Sequence, residues 1–564
     1  MTALVICTER MRTAEREAEA ALVAHQRLLL LVLLFALALL LVFGRLAAFA
    51  IEDPAARRGA TSAGYVPERG DILDRNGVPL ARSIAGYAIW VDPAALLGDP
   101  DMLASELARI FPDTSAAKFR AILTGGRPAY LRRRALPAEV RAVHALGEVA
   151  IEFPREAERL YPEREMAAHV LGFANMANQG RMGMEKALDA RLTDPALRGT
   201  PVKLSIDTRV QGALEAELGR AMATTSAIGA AGVVLDVDSG EVLGMASLPS
   251  FDPNKVGTDS LAHQRNEVTM SVYELGSTFK PITVAAALDA GTVRNLAVRY
   301  DATVPLKVGG FNIRDSHPSG RWLNVPEALV HSSNIVTARI ADNLGRARLE
   351  KVLRDLAFDQ RPHIDLGEKA APLWPKNWGR VTNMTVSYGH GIAVTPLHLA
   401  SAYAALVNGG IWRPATLVKV ESGKASHGRR VFTAATSARM RQLLRMIVKD
   451  GTGSKADVPG YRVGGKTGSA EKPHEGGYRR NSVVSTFAAA FPMDNPRYVV
   501  IAMLDEPQGV AETGFQRTAG WTAAPVVARL VPRIGPMLGV YPDEGRDVDV
   551  SELMPLLWSP KGSH

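Results

Sequence analysis

Residues 273–281 read Tyr273-Glu274-Leu275-Gly276-Ser277-Thr278-Phe279-Lys280-Pro281, and a mostly apolar stretch, ITVAAALDA, continues from Ile282 up to Gly291. The pattern predicts a helix that starts at Ser277 and stops at Gly291, a residue suited to the C′ position. Pro281 fits the first turn, where backbone N–H groups have no intrahelical partner. Ser277 and Lys280 are three residues apart and share one helix face. A serine hydroxyl becomes a nucleophile only beside a base. A lysine serves as that base only when its amine is neutral. Burial, a helix N-terminus and a second cation all push it there. By itself a Ser-x-x-Lys pair is common at solvated helix starts and decides nothing.

Working outward, helical patterns occupy 325–331, 334–344 and 396–408. Ser332-Ser333-Asn334 falls between the first two, where an N-cap is expected. Strands are expected at 230–236 and 241–248, joined by the turn Val237-Asp238-Ser239-Gly240, and again at 461–472, 482–491 and 498–504. A helix near 521–534 follows. Strands at both ends with helices between them predict an antiparallel sheet with a helical insertion, a fold of the α+β class. Lys466-Thr467-Gly468 lies in the glycine-rich opening of the first late strand.

In this order, Ser-x-x-Lys, Ser-x-Asn and Lys-Thr-Gly resemble the motif set of penicillin-binding proteins and serine β-lactamases. The resemblance implies catalytic roles for Ser277, Lys280, Ser332, Asn334 and Lys466, and substrate contacts from Thr467, Gly468 and Ser469. Ser277 would attack and Lys280 take its proton. Ser332 would relay a proton to the leaving D-alanine. Asn334 would bind the substrate amide and steady Lys280. Lys466 would add positive charge, with the Thr467 and Ser469 hydroxyls, at the substrate carboxylate. The backbone N–H groups of Ser277 and Ser469 would form an oxyanion hole. Gly464, Gly465 and Gly468 would let a peptide lie along the strand.

Further segments resemble class B penicillin-binding proteins: RGDILDRNGVPLA (69–81), RLYPEREMAAHVLGF (159–173), GMEKALDARL (183–192), LDVDSGEVLGMASLPSFDPN (235–254) and SYGHGIAVTPLHLASAYAALVNGG (387–410). YELGSTFK and SYGHGIAVTPLHLA are most similar to the septal, division-specific member. Leu275 departs from the pattern, since many relatives carry proline there. The resemblance implies a peptidoglycan D,D-transpeptidase that cross-links stem peptides ending in D-Ala-D-Ala and is inhibited by β-lactams. It implies no cofactor and no metal. It also implies a polytopic glycosyltransferase and other divisome membrane proteins as partners.

The chain of 564 residues is long enough for two or three domains. The expected layout is a tail at 1–27, a membrane helix at 28–44, a non-catalytic pedestal at 45–225, a transpeptidase domain at 226–540 and a loose C-terminal tail at 541–564. Residues 28–43 contain no polar side chain, and Gly44 extends the run before Arg45. At 1.5 Å per residue the run spans roughly 25 Å, the short end for a membrane helix. A cleavable signal peptide ending at Ala48-Phe49-Ala50 is the rival reading. A slight excess of arginine before the helix places the N-terminus in the cytoplasm and the catalytic domain in the periplasm, anchored to the inner membrane. Asp74-Arg75-Asn76-Gly77 reads as a hairpin turn. Cys7 is the one cysteine, so the chain folds without internal disulfides. The formal charge of +8 suits anionic surfaces, but no nucleic-acid motif accompanies it.

Three other readings compete. A hydrolase on the same fold, a β-lactamase or D,D-carboxypeptidase, would have no need of the pedestal. Of Glu350, Glu368 and Glu421, none sits in a context suited to activating a deacylating water. A purely structural divisome scaffold would not need the intact motif set, and a β-lactam sensor is expected to carry a long cytoplasmic signalling domain where this reading has only the 1–27 tail. An elongation-specific transpeptidase differs only by family resemblance. His317 and His390 are expected to pack or bond within loops. His474-Glu475 lacks the second histidine of a zinc-protease helix.

Overall fold

The computed structural model describes residues 27–43, 69–256, 261–474 and 477–558. The chain divides into two compact units, Met1–Val66 and Pro67–His564. In the first, residues 27–43 form a helix whose side chains are exposed throughout. Among the described residues no helix is long and apolar enough to cross a membrane. Residue 44 of the expected span, Cys7 and the 1–26 tail lie outside the described residues.

In the second unit, Ile72–Leu73 pairs antiparallel with the long strand Pro79–Val91 across the Asp74–Gly77 turn, where Gly77 takes φ 93°. The turn is held by Asp74, whose Oδ1 accepts from the backbone N–H groups of Asn76 (2.7 Å) and Val78 (2.8 Å). Pro79–Val91 also pairs with Ala129–Ala135 and Arg155–Leu160. Helices Pro100–Ile110, Ala116–Leu123 and Pro137–His144 bury Leu103, Leu107, Phe119 and Val143 in a separate small core with Ile89 and Val91.

The larger sheet has five strands among the described residues. Their order is Gly464–His474, Gly477–Phe491, Tyr498–Asp505, Gly229–Asp236, Val242–Leu248, all antiparallel. These strands were expected from alternating and continuous apolar runs, and the near-complete burial of Tyr498–Asp505 and Gly229–Asp236 reflects cover on both faces. On one face lie Thr208–Thr225 and Ala524–Ile534, which bury Leu214, Leu218, Val527 and Leu530 against it. Thr208–Thr225 therefore packs with this sheet, although it precedes residue 226. On the other face, helices Lys280–Asp289, Asn334–Leu344, Pro396–Val407 and Ala434–Asp450 share the main core.

Two expectations are corrected. The helix expected from Ser277 begins with a 3-10 turn, Gly276–Phe279, and becomes α-helical only at Lys280, ending before Gly291 at φ 65°. The tail expected to be loose is docked through residue 558. Asp547 pairs with Arg445, Glu552 with Arg439, and Leu553 is buried. Its acidic composition suggests solvation, but its carboxylates meet arginines supplied by a helix a hundred residues earlier.

Candidate active site

The Ser277 turn is fixed from beneath. The carbonyl of Thr278 accepts the hydroxyl of buried Tyr403 (2.9 Å), and Thr278 Oγ1 donates to Leu275 O (2.9 Å). Thr283 Oγ1 donates to Ser387 O (2.8 Å). The motif strand Gly464–His474 presses against the turn from one side. A Cβ on Gly468 would stand 2.3 Å from Leu275 O. On the other side, Gly389 at φ 83° lies where a Cβ would stand 2.2 Å from Gly276 O. Ser277 is half-buried between these walls.

Ser332 follows the short helix Val325–Val330 and takes a left-handed conformation, φ 59°, which is strained for a residue with a Cβ. Its hydroxyl lies between two lysines, 3.1 Å from Lys280 Nζ and 3.0 Å from Lys466 Nζ. Lys280 Nζ also donates to Ser332 O (2.5 Å). Lys466 Nζ also donates to Thr467 O and Oγ1, both at 3.1 Å. Both lysines are fully buried. Burial, and then the charge of Lys466, holds Lys280 well below the ordinary lysine range, with Asp315 pulling the other way. Burial brings Lys466 down to about 7. Two ammonium groups cannot share this dry space cheaply, so a neutral amine is available near neutral pH.

The sequence motifs thus converge, with differences in detail. Asn334 Nδ2 donates to Arg314 O (2.8 Å). Besides Lys466, Asp315 acts on Lys280 electrostatically, and the sequence reading passed it over. Asp315 accepts from Ser333 Oγ (2.7 Å) and Ile335 N (3.0 Å), tying the Ser332 turn to the start of helix Asn334–Leu344. Its signal in sequence, an acid in Ile313-Arg314-Asp315-Ser316-His317, is indistinguishable from a loop carboxylate. Thr452 is the second omission: its hydroxyl meets that of Thr467 at 2.8 Å. Ser469 Oγ accepts from Ala519 N (2.9 Å).

The glycines of the motif strand are also closely packed by the protein itself. A Cβ on Gly465 would meet Ala488 O at 2.5 Å, and one on Gly464 would meet Met493 Cε at 2.3 Å. Like Gly468, they make room for the protein's own neighbours. His317 is exposed, and His390 Nδ1 lies 3.1 Å from Glu274 Oε2. Among the described residues no cluster of His, Cys, Asp or Glu is placed to hold a metal ion. Glu475 lies outside the described residues.

The penicillin binding protein transpeptidase domain family matches residues 230–531, and the penicillin-binding protein dimerisation domain family matches residues 65–220. The chain belongs to the penicillin-binding protein transpeptidase family. It is 41% identical over 501 residues to the probable peptidoglycan D,D-transpeptidase FtsI of Caulobacter vibrioides, covering 87% of this chain and 85% of the relative. It is 30% identical to peptidoglycan D,D-transpeptidase FtsI of Escherichia coli strain K12, covering 86% of each. Its fold is similar to that of penicillin binding protein 3 from Mycobacterium tuberculosis, solved with aztreonam, at a TM-score of 0.66 and 25% identity over 85% of this chain and 97% of that one. Within this penicillin-binding protein, the transpeptidase match lies in the second compact unit and holds all three motifs, and all but the first two residues of the dimerisation match fall in the same unit.

Proposed function

We propose that this chain is a peptidoglycan D,D-transpeptidase of the division septum, inhibited by β-lactams. The observation that carries the reading is the Ser332 hydroxyl held between Lys280 and Lys466 beside the Ser277 turn. Lys280, neutral in the resting site, takes the proton of Ser277 Oγ as it attacks the carbonyl between the two D-alanines. The Ser277 and Ser469 N–H groups stabilise the oxyanion. Ser332 passes a proton to the nitrogen of the leaving D-alanine as the amide bond breaks. The acyl group on Ser277 then transfers to the amine of a second stem peptide, and Ser277 regains its proton. Lys466, Thr467 and Ser469 hold the substrate carboxylate. Asn334 receives the substrate amide through its side-chain oxygen, its Nδ2 being engaged by Arg314. The strand Gly464–His474 is a sheet edge, so the substrate backbone adds to it as a further strand.

The septal assignment is supported by the YELGSTFK and SYGHGIAVTPLHLA segments and by the likeness to relatives named FtsI. The pedestal, 45–225, carries none of the acylation residues and presents the transpeptidase domain, 226–540, to the wall. The 28–44 segment anchors the chain in the inner membrane, N-terminus in the cytoplasm. The uninterrupted apolar composition of 28–43 and the exposure of every described side chain there support this. A polytopic glycosyltransferase and other divisome membrane proteins supply the glycan strands and the regulation.

The test is mass spectrometry after incubation with a labelled penicillin. A stable adduct on Ser277, absent from folded Ser277→Ala, is expected. A label elsewhere overturns the mechanism, and rapid release of the label points to a β-lactamase. N-terminal sequencing of membrane-extracted protein tests the anchor, since a chain starting at Ile51 would have lost it.

A further inference from the structure

Glu327 lies on the helix Val325–Val330, which leads through His331 to Ser332. Its carboxylate is fully buried, and four donors reach it. Arg299 Nη1 (3.2 Å) and Asn324 N (3.0 Å) bind Oε2, while Arg321 Nη1 (2.6 Å) and Trp558 N (3.1 Å) bind Oε1. Asn324 and Glu327 form the capping box that opens this helix. The Asn324 side chain in turn donates to Leu556 O at 2.6 Å. Both members of the box are therefore gripped by the backbone of the chain's last described residues. The Arg321 guanidinium also lies over the Trp558 ring, 5.0 Å from its centroid.

The rest of this strap lies along helix Ala434–Asp450. Arg439 reaches Glu552 (3.3 Å), Gln442 Nε2 reaches Asp549 O (2.8 Å), and Arg445 and Lys449 reach Asp547 (2.8 and 3.2 Å). Positions 439, 442, 445 and 449 recur at helical spacing, so one face of the helix is covered. That helix leads to Thr452, whose N–H reaches Val330 O (3.4 Å) and whose hydroxyl meets Thr467. One strap thus spans the two helices that deliver Ser332 and Thr452 to the site. The helix before Ser332 has only six residues. Its end position therefore depends on how its start is held.

We propose that residues 541–558 are a positioning strap for the acylation site, acting through the Asn324–Glu327 capping box on the placement of Ser332. The inference rests on the transpeptidase reading above. Neither Leu556 nor Trp558 touches the reacting groups, so their effect falls on the geometry of proton transfer. The acylation step should slow while the initial complex with penicillin keeps its affinity.

Three variants test this: a chain ending at Leu553, Trp558→Pro and Trp558→Phe. The first removes both strap contacts to the box and leaves Asp547 and Glu552 in place. The second removes the Trp558 N–H together with the ring beneath Arg321. Leu557 already has φ −80° and ψ 135°, a conformation accepted before proline. The third keeps the N–H. Stopped-flow acylation by a fluorescent penicillin separates the first-order step from the affinity of the initial complex. Expected is a fall of about tenfold in the first-order step for the truncated and proline variants, as a small misplacement of a catalytic group produces. The phenylalanine variant should remain near the parent. An unchanged first-order step in the proline variant overturns the proposal. So does a smaller labelled fraction at an unchanged rate, which would mean lost stability alone. Should the truncated chain not fold, the two point variants decide. A parent that fails to label at Ser277 would instead overturn the transpeptidase reading.

Discussion

Two buried charge clusters in this molecule follow opposite rules. In the N-terminal part, Arg69 and Glu185 are fully buried, 2.5 Å apart, with Arg159 on the other carboxylate oxygen (2.6 Å) and Asp189 on Arg69 (2.6 Å). Burial opposes the charge of Arg69, but Glu185 and Asp189 outweigh it and hold its pKa above the ordinary value. Tyr161 adds a hydroxyl to Glu185 (3.2 Å), and Arg69 Nη2 donates to Glu185 O (2.5 Å). Cations and carboxylates balance there, and the cluster ties residues distant in sequence into one rigid joint. In the active site, Lys280 and Lys466 share the Ser332 hydroxyl, while Asp315, engaged by Ser333 and Ile335, only partly offsets the charge at Lys280. Their charge is relieved by proton loss. A balanced buried cluster builds structure, while an unbalanced one keeps a reactive protonation state ready.

The largest effect expected from this contrast is at Lys280, the proposed base. Lys280→Arg keeps a cation that cannot deprotonate near neutral pH. Penicillin acylation should fall by about 10²–10⁴-fold, the range for a general base. Acylation within tenfold of the parent in a folded variant would break the contrast. Next is the balanced cluster. Glu185→Ala leaves Arg69 and Arg159 buried without their shared carboxylate and should cost about 3–5 kcal/mol in denaturant unfolding. The folded fraction should still acylate at the parental rate, and a slower rate would show that the clusters are coupled.

The third prediction concerns pH. Lys466 has a folded-state pKa of about 7 against 10.5 when unperturbed. Between those values the unfolded chain binds more protons, so this lysine's contribution makes stability rise with pH across the window. Lys466→Met should remove a slope of at most about 1.4 kcal/mol per pH unit and be more stable than the parent at pH 7. Unfolding midpoints at pH 7 and 9 measure both. A variant with the parental slope would show that Lys466 is not held neutral. The smallest effect is at Ser333, which caps helix Asn334–Leu344 through Val336 N (3.1 Å) and binds Asp315. Ser333→Ala should cost about 1 kcal/mol of stability. No loss in a thermal melt would show that Asp315 holds the turn unaided.

The two clusters were unequally legible in sequence. Ser277, Lys280, Ser332 and Lys466 stand in short motifs whose neighbours set their local structure. Arg69 and Glu185 fall in RGDILDRNG and GMEKALDARL, and nothing local distinguishes a buried arginine from a solvated one. Asp315 and Thr452 were missed for the same reason. Asn334 was found, but the bond from its Nδ2 to the carbonyl of Arg314 was not, because that carbonyl has no sequence signature.

By itself the sequence determined the five strands of the larger sheet, the helices that carry or follow the motifs near 277–290, 325–331, 334–344, 396–408 and 521–534, and the three motifs from which the role of Ser277 is proposed. These are local properties: apolar periodicity, capping residues and turn residues act within a few positions of where they are written. Only the tertiary structure decided that Lys280 and Lys466 share the Ser332 hydroxyl. It also decided that Gly464, Gly465 and Gly468 yield space to the protein's own backbone and side chains. The same is true of the acidic C-terminal segment, which closes on Glu327 and Arg445. Each of these depends on groups brought together from distant points of the chain. Burial, hydrogen-bond partner and pKa are set by that surrounding, and no single stretch of sequence contains it.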